Sequence, residues 1–136
     1  MPVQYDPTLV GALARAASGT AGVSFVGRDE GITRYSWAEI RERAGRFAGG
    51  LRRAGVAPGD RVAVILPTGP EFFDAFFGAL VAGAIPVPLY PPVRLGRLDE
   101  YHRATARMLA NGIAWHNVSM DYLAECAKKP ALKAAA

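Results

Sequence analysis

The sequence predicts an α/β fold in which a βαβ unit forms a short parallel sheet and a small hairpin precedes it. Arg61–Leu66 has the continuous apolar pattern of a strand that is buried on both faces. A helical pattern follows up to Val81, and Ile85–Leu89 is a second extended segment. Strand, helix and strand in this order predict two parallel strands joined by a right-handed crossover.

The N-terminal elements are marked by turn and capping residues. Asp6 and Pro7 predict the start of a first helix that reaches about Ala17, because Asp caps helix amides and Pro suits the first helical position. Val23–Val26 and Ile32–Tyr35 are short β-rich segments on either side of a turn. They predict the hairpin.

A second helix begins at a capping box. Ser36 and Glu39 have the spacing at which each side chain reaches the other residue's backbone amide. Gly55 has the position of the left-handed residue that closes such a helix. The apolar face of this second helix is formed by residues at helical spacing, namely Trp37, Ile40, Ala44, Phe47, Ala48 and Leu51.

The third helix carries a stripe of large apolar side chains and is closed by Gly83. We expect this stripe to form the core of the domain, since burial of each side chain contributes about 2 kcal/mol. The stripe consists of Phe72, Phe73, Phe76, Phe77, Leu80 and Val81.

The elements after Ile85–Leu89 have weaker signals in the sequence. We predict a helix from about Leu95 to Leu109 and a strand within Ile113–Val118. A last short helix is predicted over Met120–Ala127, with Ser119 as its cap and Pro130 as its stop.

Composition favours one globular domain and excludes several classes of protein. The chain has 136 residues, of which 51% are apolar and 21% charged, as in ordinary globular domains. The net charge is +4, but acids interrupt the arginines along the predicted helices, so we expect no nucleic-acid partner. A single cysteine excludes an intramolecular disulfide.

Neither a leader nor a membrane span is predicted from the sequence. The first residues lack the basic and apolar regions of a secretory signal. The longest apolar stretch, Phe72–Leu89, is interrupted by Asp74 and by prolines and glycines. We therefore expect a cytoplasmic protein.

Three stretches in order resemble the opening of the adenylate-forming (acyl-CoA synthetase, AMP-binding) superfamily. They are Arg34–Ile40, Gly55–Ala63 and Glu71–Pro92. Leu89–Pro92, read Leu-Tyr-Pro-Pro, is similar to the fatty acyl-AMP ligase branch, and so is the helix that follows it. The resemblance divides the chain into residues 1–110, the N-terminal part of an AMP-binding (adenylation) domain, and residues 111–136, a divergent tail with a short helix.

The resemblance implies a chemistry that this chain does not carry alone. The family uses ATP and Mg²⁺ to convert a carboxylic acid, in this branch a fatty acid, to an acyl-adenylate. It then passes the acyl group to a thiol, typically on an acyl carrier protein. The family's phosphate loop and C-terminal lysine belong to parts that are not represented here. We therefore expect an inactive N-terminal subdomain fragment with no catalytic, cofactor or metal residue, and we expect it to self-associate through uncovered apolar surface.

Most of the residues that could carry chemistry are expected to have ordinary structural roles. Ala17–Gly22 imitates a phosphate loop but lacks the following Pro-Lys, so a turn is predicted. His102 and His116 have no partner at metal-ligand spacing. Cys126 has no activating neighbour except Lys128 and Lys129, so we do not expect a nucleophile there. Tyr90 is the one candidate substrate-side residue, because it ends a parallel strand, where ligands tend to bind.

Two other hypotheses remain open at this point. The chain is alternatively a free-standing, non-catalytic α/β binding or interaction module whose tail helix covers the open face. A small enzyme of another type is the third hypothesis, and no constellation of residues supports it.

Overall fold

A computed structural model describes residues 6–91, 98–108 and 116–119, and it has the α/β architecture expected from the sequence. A two-stranded antiparallel hairpin precedes a three-stranded parallel sheet with the strand order β4-β3-β5. The elements are α1 (Leu9–Ala16), β1 (Gly22–Val26), β2 (Ile32–Ser36), α2 (Trp37–Arg53), β3 (Arg61–Ile65), α3 (Pro70–Val81), β4 (Ile85–Pro88), α4 (Leu98–Met108) and β5 (His116–Ser119).

The cap of α1 differs from the expectation. Thr8 is the N-cap, and its side-chain oxygen accepts a hydrogen bond from the Gly11 amide at 3.0 Å. The Asp6 carboxylate instead accepts from the Thr8 amide at 2.9 Å. The prediction that Asp6 caps the helix is wrong, because Thr8 holds the position from which a side chain reaches the amide three residues on.

Both ends of α2 are as predicted. The Ser36 hydroxyl accepts from the Glu39 amide at 3.2 Å, and the Glu39 carboxylate accepts from the Ser36 amide at 2.7 Å. Hydrogen bonds from the Ser36 backbone and hydroxyl lower the pKa of Glu39 below its ordinary value. Gly55, with φ +93°, follows the helix in the left-handed conformation.

The α2–α3 contact is made by very small residues. Ala44, Ala48, Ala75 and Ala79 have no exposed surface, and Gly78 is buried with them. A methyl group added at Gly78 would lie 2.8 Å from the Phe47 ring. The two helices therefore approach each other closely because no Cβ stands between them at this point.

The phenylalanine stripe of α3 is only half-buried, and the expectation that it forms the core is partly wrong. Phe72 packs at the margin of the core cluster, to which β3 contributes Val62 and Val64. Phe72 and Phe76 stack with their ring centroids 5.8 Å apart. The rings occupy the flanks of α3, and the face of α3 that meets α2 is formed by Ala75, Gly78 and Ala79.

β3 is the central strand, and β4 pairs with it in parallel as predicted. The Ile85 amide donates to the Asp60 carbonyl at 2.7 Å, and the Leu89 amide donates to the Val64 carbonyl at 2.9 Å. Since the backbone N–H and C=O groups of alternate residues point to the neighbouring strand, the backbone groups of Pro86 and Pro88 point away from β3. β4 is accordingly an edge strand, which is where prolines are tolerated in sheets.

The C-terminal predictions are confirmed where the structure describes them. α4 lies inside the predicted helix 95–109, and β5 overlaps the predicted strand 113–118 and pairs in parallel with β3. Ser119 is the last residue of β5. The predicted helix Met120–Ala127 and its stop at Pro130 lie outside the described residues.

The small-residue contact predicts opposite effects for two glycine substitutions. Gly78→Ala should lower the free energy of unfolding by about 1–3 kcal/mol, because the new methyl group overlaps Phe47. Gly45→Ala should raise the free energy of unfolding by about 0.5–1 kcal/mol, because the space that a Cβ would occupy at this helical glycine is open. Urea unfolding followed by circular dichroism measures both, and equal effects of the two substitutions would contradict the packing described here.

Candidate functional site

The strand order indicates where a ligand would bind. Of the three strands in the parallel sheet, β3 comes first in the chain and lies in the middle, with β4 and β5 on either side of it. Right-handed crossovers then place α3 and α4 on opposite faces of the sheet. In such sheets ligands bind beyond the carboxyl ends of the strands, where the connections diverge. The candidate site is therefore the carboxyl edge of β4-β3-β5.

The loop from β3 to α3 forms the centre of this edge. Leu66 is buried, Thr68 is exposed, and Gly69 caps α3 without a side-chain hydrogen bond. Pro70 is the first helical residue and has no N–H, and Glu71 puts a carboxylate in the first turn. A phosphate placed here would face a like charge, so the edge fits an uncharged group better than a phosphate.

Tyr90 lies at the same edge, as the sequence predicts. It follows Leu89, whose amide is bonded to Val64 on the central strand. The Tyr90 side chain is 75% exposed, so its ring is available to a ligand and contributes little to the core. Its role as a substrate-side residue stays a prediction.

An ion pair fixes the start of α3 beside this edge. The Arg43 guanidinium donates to both carboxylate oxygens of Asp74, with distances of 2.8 Å from Nε and 2.6 Å from Nη2. The hydrogen bonds to Asp74 raise the pKa of Arg43 above its ordinary value. The same guanidinium lies 4.9 Å from the centre of the Tyr35 ring. One side chain on α2 thus links the hairpin to α3.

Aromatic contacts complete this link. The Phe25 ring on β1 meets Phe73 edge-on with their centroids 5.1 Å apart, and Trp37 lies 6.4 Å from Phe73. Phe73 also contacts Phe77 at 5.9 Å. The hairpin, α2 and α3 are therefore held together by rings and by the Arg43–Asp74 pair.

Sequence reasoning missed the Arg43–Asp74 pair. The two residues are 31 positions apart, so no local spacing connects them. The available signal was Asp74 itself, an acidic residue inside the apolar run of α3. An acid at that position needs a partner once the helix is packed.

The remaining candidates have structural roles or lie outside the described residues. The turn after α1 uses its own polar groups, since the Ser18 hydroxyl donates to the Arg15 carbonyl at 2.7 Å. His102 is exposed and sits in no group of three His, Cys, Asp or Glu side chains among the residues that the structure describes. Cys126 and the side chain of His116 fall outside the description.

Two further features were not anticipated. An open cleft of about 370 Å³ lies between α1 and α2, lined by Ala17, Ala38, Arg41, Glu42 and Gly45. On α4, the Tyr101 hydroxyl and the Thr105 hydroxyl are buried, and no described residue hydrogen-bonds to either. None of these residues belongs to the sheet edge. Within the described ranges, no helix combines the length and the hydropathy needed to cross a membrane.

Comparison with known proteins identifies the family. The model of a family described as AMP-binding enzyme matches residues 13–114. A structure from a study of fatty acyl-adenylate ligases of E. coli and L. pneumophila is 34% identical with a TM-score of 0.76, and the match covers 82% of this chain and 20% of that one.

Two curated relatives have names that do not mention fatty acids. Salicyl-AMP ligase / salicyl-S-ArCP synthetase of Mycobacterium tuberculosis is 37% identical over 115 residues, which cover 85% of this chain and 20% of the relative. Pyochelin synthetase PchE of Pseudomonas aeruginosa is 48% identical over 89 residues, which cover 63% of this chain and 6% of the relative. The chain thus spans a fifth or less of the length of these relatives.

Replacement of Tyr90 separates a binding role from a structural one. Tyr90→Ala should change the free energy of unfolding by less than about 0.5 kcal/mol, because the side chain is exposed. Phe73→Ala, the control, should lower it by about 2 kcal/mol or more, since it removes the ring that joins β1, α2 and α3. Chemical denaturation measures both, and a large loss for Tyr90→Ala would assign that ring to the fold.

Proposed function

Because the chain belongs to the AMP-binding enzyme family, we propose that it forms the N-terminal part of the adenylation unit of a fatty acyl-AMP ligase-like enzyme. The observation that carries this proposal is the similarity to the fatty acyl-adenylate ligases, at 34% identity over 82% of the chain. The Leu-Tyr-Pro-Pro segment at Leu89–Pro92 supports the same branch. Such an enzyme, acting in the cytoplasm, would activate a fatty acid and transfer it to the thiol of an acyl carrier protein.

The residues described here do not fit ATP or Mg²⁺. They contain no group of three His, Cys, Asp or Glu side chains able to hold a metal ion, and the N-terminus of α3 at the sheet edge carries Glu71 in its first turn. The phosphate and metal ligands of the reaction would therefore come from the rest of such an enzyme. This chain would contribute the sheet edge, with Tyr90 on the side of the acyl group, and would be inactive alone.

The class of acid is the finer part of the proposal. Fatty acids are favoured by the similarity to the solved fatty acyl-adenylate ligases and by Leu89–Pro92, whereas the salicyl-AMP ligase relative favours an aryl acid. Tyr90 would contact either group through its exposed ring. Substrate preference must therefore be measured with both classes of acid.

A chimera tests this function directly. In the chimera, this chain replaces the aligned segment of one of the solved fatty acyl-adenylate ligases. The chimera should catalyse the exchange of pyrophosphate into ATP, and this exchange should depend on added fatty acid. In the chimera, Tyr90→Ala should raise KM for the acid about tenfold and leave KM for ATP unchanged, because it removes a contact to the acid alone. The chain by itself should give no exchange.

Three outcomes of the chimera experiment would count against the proposal. Exchange only with salicylate would move the chain to the aryl-acid class. A folded chimera without exchange for either acid would favour the free-standing binding module. Exchange by the isolated chain would show that it needs no further part.

Self-association is proposed to occur when the rest of the enzyme is absent. Val26 and Ile32 are paired across the hairpin, and each is 70% exposed, so together they form an uncovered apolar patch. Light scattering should show an average mass that rises with concentration. Val26→Thr/Ile32→Thr should shift this rise to several-fold higher concentration, while Ser24→Thr, on the same face, should leave it unchanged. A chain that stays monomeric at all concentrations would contradict this.

A further inference from the structure

The beginning of α3 has weaker local hydrogen bonding than the beginnings of α1 and α2. Thr8 and Ser36 cap those two helices with their side chains, whereas Gly69 caps α3 with no side-chain hydrogen bond. Pro70 has no N–H, and the Phe73 amide reaches the Gly69 carbonyl at 3.4 Å, which is long for an N–H···O bond. Local contacts therefore do little to fix where α3 starts.

The Arg43–Asp74 pair fixes this start from α2 instead. Asp74 directly follows Phe73, and both of its carboxylate oxygens accept from the Arg43 guanidinium, at 2.8 and 2.6 Å. The Tyr35 ring lies 4.9 Å from the same guanidinium, which is thus held between a ring and a carboxylate. Because the planar guanidinium bonds through two N–H groups, it fixes the orientation of the Asp74 carboxylate as well as its distance.

Stability alone does not account for a charged pair at this position. The side chains of Arg43 and Asp74 are 27% and 15% exposed, so both lose water when the two helices pack. Apolar side chains of similar volume would hold α2 against α3 at least as well. Two apolar side chains do not provide a fixed direction, however, and direction is what the start of α3 lacks.

We propose that Arg43 is a positioning residue for the acid-binding side of the carboxyl edge. Through Asp74 it sets the first turn of α3, and with it the course of residues 67–69, which join the central strand to this helix. These residues lie at the same edge as Tyr90. Arg43 acts without touching the acid. The inference rests on the proposed function, in which this edge lies on the side of the acyl group.

A second arginine of α2 provides a matched control. Arg52 donates from Nη2 to the Val81 carbonyl at 2.7 Å, so it holds α3 at its last residue. That end lies away from the carboxyl edge, because α3 leads from the end of β3 back to the start of the parallel strand β4. Arg43→Met and Arg52→Met each remove polar contacts between the same two helices, and only Arg43→Met should affect the edge.

Kinetics of the chimera test the positioning role. Arg43→Met should raise KM for the acid at least about fivefold and leave KM for ATP within about twofold, because a displaced edge weakens contacts to the acid alone. Arg43→Lys keeps the positive charge and loses the paired hydrogen bonds, so it should behave like Arg43→Met. Arg52→Met should leave both KM values unchanged.

Two kinetic results would overturn the inference. One is a KM for the acid that Arg43→Met leaves at the value of the natural sequence. The other is a natural KM in Arg43→Lys, because a point charge would then be sufficient and the orientation of the pair would have no role.

Amide exchange in the full chain, followed by NMR, tests the structural step separately. In Arg43→Met the Phe73 amide, which bonds to Gly69 at the start of α3, should exchange at least about fivefold faster than in the natural chain. In Arg52→Met it should exchange at the natural rate. The Glu39 amide, inside the capping box of α2, is the internal reference. An unchanged Phe73 rate in Arg43→Met would show that the pair does not hold the start of α3. If Arg43→Met does not fold by its thermal transition, Arg43→Lys carries the same predictions.

The outcomes separate this inference from the proposed function. An active chimera whose KM for the acid is unchanged by Arg43→Met would leave the ligase role standing and refute the positioning role. A chimera of natural sequence without exchange would count against the ligase role and against any role of Arg43 toward the acid. The Phe73 measurement would still decide whether Arg43 sets the start of α3.

Discussion

The close contact between α2 and α3 is the constraint on which the rest of the structure depends. It is possible because Ala44, Ala48, Ala75 and Ala79 are small and because Gly78 has no side chain where the Phe47 ring packs. The paired helices then cover one face of β3 through its buried valines. The same contact displaces the α3 phenylalanines to the flanks, where they meet the hairpin. The hairpin, the helices and the sheet are thus arranged by one narrow interface.

The position of the candidate site follows from this arrangement. α3 begins directly after the loop at the carboxyl end of β3, and the Arg43–Asp74 pair holds its first turns. Tyr90 reaches the same edge because the Leu89 amide is bonded to Val64.

Local signals in the sequence predicted the elements, and long-range packing accounts for what they missed. The Ser36–Glu39 box and Gly55 act within one turn of helix, so their spacing was sufficient. The parallel β3–β4 pair followed from an uninterrupted apolar strand and a proline-rich one. The burial of small residues in place of phenylalanines was not predictable, because hydrophobicity ranks side chains by size and takes no account of the distance between two helices. The Arg43–Asp74 pair was hidden for a related reason, since its partners meet only after α2 and α3 have packed.

The alanine and glycine contact also has an entropic consequence. Side chains without rotamers lose no conformational freedom when they are buried, whereas a buried leucine or methionine loses about 0.5–2 kcal/mol. The alanines and the glycine of the α2–α3 interface therefore add no side-chain ordering cost, and that cost falls on Phe47 and on the Arg43–Asp74 pair. A short α/β segment can in this way retain a defined helix pair with only a few side chains fixed between the two helices.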